Sequence, residues 1–334
     1  MWAIDNRTPY RAGKSWTRDR DGVHLWIVSV KATYDILPDG RTALAEEQLA
    51  PLIAPEYRGE PGLSSLRHDA ELVAQKPTTD ILVNGHAHAP GGRPSADFTA
   101  SLRVASVHKT LRVRGDRHWE DGAFGGKASR AEPLSRVPLT YERAFGGHDR
   151  ANDDPRQHRI DLRNPVGCGL ATAAGGRVGT TWPNFQYPDG SLEKAGPAGF
   201  GAIDGHWSPR RELMGTYDAA WQATRLPLLP TDWDPQSLQC APADQRPAQH
   251  LRGGEPVELV NLSAEGLLRL DLPRVHLAFT TRIDGRFEEH RAQLSTVTIE
   301  PDLRRLMMVW TTSLACRNDA DYLEETTVRE KRLI

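Results

Sequence analysis

Along several stretches of the chain apolar residues recur at every second position, and some of these stretches stop at turn signals; that period belongs to strands with one face on a core. Ala96, Phe98, Ala100, Leu102 and Val104 alternate with Asp97, Thr99, Ser101 and Arg103, and Val107, Lys109, Leu111 and Val113 then alternate with His108, Thr110, Arg112 and Arg114. The two runs predict an antiparallel pair. Upstream, Trp26, Val28, Val30, Ala32 and Tyr34 share one face of a long strand that stops at Pro38-Asp39-Gly40. Downstream, Val275, Leu277, Phe279, Thr281 and Ile283 lead into Asp284-Gly285, a dipeptide suited to the positive φ angles of a type I′ turn, and the chain returns. Pro301-Asp302 turns it again, and Leu306, Met308 and Trp310 mark another strand.

Helical signals are short. Thr216 is a candidate cap for a helix that Pro227 would end, and the tail 314–334 reads as a second helix. Between residues 146 and 254 Gly and Pro recur every few residues, so regular elements there must be brief. Trp182, Phe185, Phe200, Trp207, Trp221 and Trp233 give this stretch the apolar groups that disordered linkers lack, which predicts ordered loops pinned by aromatics.

The expected fold is therefore mainly β: an antiparallel sandwich or barrel-like core with long ordered Gly/Pro/aromatic-rich loops and few short helices. Residues 1–334 are expected to form a single domain, strand-rich over 1–145, loop-rich over 146–254 and strand-rich again over 255–313. Neither strand-rich end holds enough strands to bury both faces of a sheet alone.

Charge narrows the partners. A formal net charge of −2 with scattered Lys and Arg offers no broad field for phosphate backbones or anionic lipid, so neither nucleic acid nor a membrane is expected. No apolar leader follows Met1 and no stretch approaches the roughly 20 apolar residues of a span, which points to the cytoplasm. Cys168, Cys240 and Cys316 are far apart and lack paired spacing, as expected of reduced thiols.

Catalytic chemistry finds few footholds. His86 and His88 on a strand would stand on one face about 7 Å apart, a half-site for metal to which His118 is a candidate third ligand; the plainer expectation is hydrogen-bonded strand histidines. Cys168 between two glycines has no base tied to it by a motif. The stretch Tyr141-Glu142-Arg143-Ala144-Phe145-Gly146-Gly147 is read as a latch between strand and loop. Glu142 and Arg143 would point to opposite sides of a strand end, which frees Arg143 for a distant carboxylate or carbonyl, and the two glycines let the backbone turn.

The ordered set of motifs QKPTTDILVNGHAHAP, KTLRVRGDRHW, VPLTYERAFGG, NPVGCG, PAGFGAI, GTYDAAW, LPTDWD, CAPADQR, LRGGEPVELVNL and TVTIEPDLRRLMMVW resembles the bacterial family known as domain of unknown function 2169, from about the first residue to about 313. The resemblance implies a role in type VI secretion. Its members look like cytoplasmic adaptors or chaperones for a toxic effector, acting with a spike protein or a PAAR-like tip protein. Lys76, Asp80, Asp116, Arg117, Trp119, Tyr141, Arg143, Trp207, Asp218, Trp221 and Asp232 fall in or beside these motifs as partner-binding or structural positions. No catalytic set, metal or cofactor comes with the resemblance. Ala173-Ala174-Gly175-Gly176 departs locally from the pattern. Two other readings stand beside the adaptor: a metal-dependent hydrolase using His86, His88 and His118, and a structural component of the secretion apparatus.

Overall fold

The computed structural model describes residues 2–120, 127–150, 152–170, 179–316 and 322–331. The strands that carry the fold are β1 (Ala3–Asn6), β2 (Arg11–Arg18), β3 (His24–Ile36), β4 (Asp80–Val83), β5 (Asp97–Val104), β6 (Val107–Arg114), β7 (Pro256–Val260), β8 (Leu267–Asp271), β9 (Leu277–Ile283), β10 (Arg286–His290), β11 (Gln293–Glu300), β12 (Arg305–Cys316) and β13 (Leu323–Glu330). Strands dominate and helices are short, so the fold is mainly β as the alternation implies.

Three sheets surround one apolar core. In the largest the order is β2-β3-β12-β11-β4, with Thr42–Leu44 added to β3; only β11 and β4 run parallel. A second sheet has the order Phe185–Gln186, β6, β5, β7, β8, antiparallel throughout. A third has β1-β13-β9-β10, with β1 parallel to β13. Val28, Val30 and Ala32 of β3, Leu102 and Leu111 of the β5–β6 pair, and Phe279 and Val328 of the third sheet lie in the same buried cluster. The two strand-rich ends interleave: β3 pairs with β12 from His24↔Cys316 to Asp35↔Arg305.

The second face of β3 was not foreseen. Ser29, Lys31 and Thr33 stand on it and are buried, because the segment 45–76 lies over them. Burial of polar groups requires partners. Lys31 Nζ meets both Glu71 oxygens at 2.9 Å, Ser29 bonds the Glu71 carbonyl at 2.9 Å and Thr311 at 3.1 Å, and Gln48 clamps the Thr33 backbone from both sides.

Two helical expectations are corrected. Thr216 caps nothing: the helix α1 (Ala219–Thr224) starts at Asp218, whose extended backbone lets its carboxylate accept the Trp221 N–H, and Thr216 instead bonds Asp232. The tail is not a helix either. β12 continues to Cys316 and β13 occupies Leu323–Glu330, while 317–321 and 332–334 lie outside the described residues, as does the Ala173–Gly176 departure. The run Thr326-Thr327-Val328 is β-branched, and Thr326 and Val328 point into the core, where Thr326 bonds Trp26 and Thr281.

Candidate functional site

The residues 141–147 form a three-way junction between the sheets and the loop-rich middle. Tyr141–Arg143 is a 3-10 turn rather than a strand end. In such a turn successive side chains diverge by about a third of a revolution, so each finds its own partner. Tyr141 is buried edge-on against Trp207, with ring centroids 5.5 Å apart, and its hydroxyl donates to the Gly201 carbonyl at 3.3 Å. Glu142 accepts the backbone N–H and the hydroxyl of Ser65, both at 2.7 Å. Arg143 reaches Asp116 at 3.0 Å, the distant carboxylate that the sequence leaves it free to find. Burial would raise the Glu142 carboxyl, but the two Ser65 donors hold it below the usual range.

Gly146 and Gly147 close the junction at φ of 144° and 95°. A Cβ on either would stand 2.3 Å from a backbone oxygen, of Asn164 and Gly167 respectively. Asn164 fills the space so left, its amide donating to the carbonyls of Tyr141 at 2.7 Å and Phe145 at 3.0 Å. Cys168 pairs with Phe145 across this turn, and burial pushes its thiol up to about 11, far from the thiolate a nucleophile requires at neutral pH.

A second latch joins β4 to the loops. Lys76 Nζ donates to Asp80 at 2.8 Å and to Thr296 at 3.0 Å, and Asp80 also accepts the backbone N–H groups of Cys240 at 2.9 Å and Ala241 at 3.2 Å. Burial alone would raise the Asp80 carboxyl and lower the Lys76 ammonium; their mutual attraction reverses both directions. The pair is ionised and fully inside.

The Gly-Asp-Arg-His-Trp motif makes a third contact with the middle region. Asp116 serves Arg143, while Arg117 donates to the Pro183 carbonyl at 3.1 Å and lies over the Trp182 ring at 5.5 Å. Burial, with Arg114 close by, draws the Arg117 guanidinium down to about 10. Trp119 packs edge-on to Trp182 at 4.6 Å. Further along, Trp221 Nε1 donates to Leu228 O at 2.9 Å, and Asp232 accepts the backbone N–H and hydroxyl of Thr216. The motif residues thus gather at several junctions within the chain, not at one cleft.

Several joints were missed from sequence. Lys109 is buried with its ammonium on Gly199 O at 2.6 Å, Asp244 at 2.8 Å and Gln245 Oε1 at 2.9 Å. The signal was present, a cation in the apolar register of Val107, Leu111 and Val113. Burial draws its ammonium down to about 8 against the pull of Asp244. Arg210, paired with Asp69 at 2.6 Å, donates to the carbonyls of Ser237 and Ile203, and Asn184 ties Arg143 to Arg114. Neither carried a pattern by which to pick it out.

The hydrolase constellation does not assemble. His86 Nδ1 and His88 Nε2 both bond Asp302, at 2.7 and 2.8 Å, while His118 stands apart beside Glu120 at 3.7 Å. Among the described residues no group of three or more His, Cys, Asp or Glu side chains is placed to hold a metal ion, and no helix is long and apolar enough to cross a membrane.

A family model described as an uncharacterized protein conserved in bacteria, DUF2169, matches residues 21–311. No curated protein and no solved structure matches the chain.

Proposed function

The chain belongs to the DUF2169 family, and from that membership we propose that it is a non-enzymatic adaptor or chaperone. It would bind a type VI secretion effector in the cytoplasm and assist its loading onto the spike or a PAAR-like tip. The observation that carries this reading is the way the loop-rich middle is held. Long loops ordinarily lose much entropy on binding, and fixing them beforehand removes that cost. Here Asp80 and Lys109 fasten loops to strands, and Arg210 and Glu142 fasten loop segments to one another, with buried or half-buried polar bonds, leaving side chains such as Tyr217 and Leu226 exposed on a pre-arranged surface. Scaffolds that present ordered loops in this manner suit recognition of another protein.

The test is co-purification of a cognate effector or tip protein, together with secretion and killing by a deletion strain. The expected result is a reversible complex and a delivery defect restored by the wild-type chain. Full delivery without the chain, and no complex with an effector or a tip protein, would overturn the reading.

A further inference from the structure

The third sheet ends on β10, whose outer edge pairs with no strand among the described residues. Asp284 and Gly285, at φ of 48° and 69°, close a two-residue turn, so Ile283 and Arg286 exchange the first ladder bonds between β9 and β10, followed by Thr281 with Glu288 and Phe279 with His290. The N–H and carbonyl groups of the alternate residues, Phe287 and Glu289, therefore point away from β9, and they have no hydrogen-bond partner among the described residues. The side chains of this strand are equally open. Phe287 is 72% exposed, and Arg286, Glu288 and Glu289 are exposed with no ion-pair partner among the described residues. An unpaired edge is a template for another strand, and β10 carries neither the proline nor the bulge that would blunt it.

We propose that β10 pairs antiparallel with β10 of a second copy of this chain, about a twofold axis at Phe287, joining the third sheets of the two copies into one. The charge pattern selects both the partner and the register. A twofold that matches outward backbone groups with outward backbone groups can sit at Phe287, Glu288 or Glu289. At Glu288 or Glu289 it sets that carboxylate directly opposite its own copy, where like charges repel. At Phe287 it sets Arg286 opposite Glu288 of the second copy and Glu288 opposite Arg286, all on one face, while the two Phe287 rings meet on the other and the Phe287 N–H and carbonyl groups exchange bonds. The exposed ring and two of the three unpaired charges find partners together. An edge of 5 residues buries much less than the roughly 1,600 Å² of a standard interface, so the dimer should be weak and reversible.

The experiment is sedimentation velocity on the full chain over a concentration series. The expected result is a monomer–dimer equilibrium that salt weakens. Arg286→Glu alone and Glu288→Arg alone should each weaken self-association at least about tenfold, because either change sets like charges opposite one another at both ends of the pairing. An equimolar mixture of these two variants should dimerise again, as should the double swap Arg286→Glu, Glu288→Arg in one chain, since both restore opposite charges across the axis. Melting temperatures should stay at the wild-type value, because the altered side chains are exposed. A wild-type chain that stays monomeric throughout the series, a dimer indifferent to either single charge change, or a mixture that remains monomeric would overturn the pairing. A dimer lost in Phe287→Ser but kept in both charge variants would mean that the rings meet without strand pairing, and overturns it as well.

Discussion

Asn184 holds Arg143 twice: its backbone N–H donates to the Arg143 carbonyl at 2.8 Å, and its Oδ1 accepts from the guanidinium at 3.3 Å. The amide nitrogen of the same side chain donates to Arg114 O at 2.8 Å and Asp116 Oδ1 at 3.0 Å. The centre of the 141–147 junction is thus a neutral amide, and the ion pair sits at its edge.

From this geometry Asn184→Ala should destabilise the fold more than Arg143→Ala. Arg143 and Asp116 are 38% and 58% exposed, so their pair contributes about 0–1 kcal/mol. Asn184 is fully buried, and its loss strands a backbone carbonyl, at a cost of about 1–3 kcal/mol. Urea unfolding of both variants decides the order. A larger loss for Arg143→Ala would place the weight on the ion pair instead.

For the buried pair Lys76–Asp80 the expectation is non-additivity. Asp80→Asn or Lys76→Met leaves one charge inside without its partner, which costs about 3–5 kcal/mol. The double variant removes both charges and should lose less than the sum of the singles. A double-mutant cycle by chemical denaturation reads the coupling, and strict additivity would mean that the two groups act independently.

Acid should destabilise the protein in two overlapping windows. Burial lowers His290 from 6.5 to about 4. Burial would raise Glu300 from its usual 4.5, yet bonds from His68 and Arg305 hold it at about 2. Both folded values lie below the unfolded ones, so the unfolded chain binds more protons in each window and stability falls as pH falls. The His290 contribution is complete above 6.5 and is lost towards 4; that of Glu300 is complete above 4.5 and is lost towards 2. Melting temperature against pH should show the upper window flattened in His290→Gln, and an unchanged profile would assign it to other groups.

The strands were legible because a two-residue period survives wherever one face meets the core, as in the register Val104↔Val107 through Phe98↔Val113. The polar face of β3 was not, since a buried Ser, Lys and Thr read like a wet face until the covering segment is known. The tail was misread because its charged residues fit a helix as well, and pairing of β13 with β9 decided the matter. Of the junctions, Arg143 was foreseen from its freedom to leave Glu142, but its partner Asp116 lies 27 residues away and only folding names it. Asn184, flanked by Pro183 and Phe185, had no local signal at all.

Lys109 gives the sharpest test of whether the loops act as a pre-arranged layer. Its ammonium joins β6 to Gly199, Asp244 and Gln245, and the Gln245 amide continues to Ile81 O at 2.7 Å and Phe200 O at 2.9 Å. Lys109→Met keeps the apolar stem in the core register but leaves those acceptors without their donor, at a cost of about 1–3 kcal/mol. Because β6 retains its full ladder with β5, the cost should fall on the loops, as local opening with the sheets intact. Hydrogen exchange is expected to show lost protection over 195–245 and unchanged protection in β3 and β12, with weaker retention of the effector in the same variant. Uniform loss across strands and loops would show that the loops and sheets unfold as one body, and retention of the effector at wild-type level would separate loop order from binding.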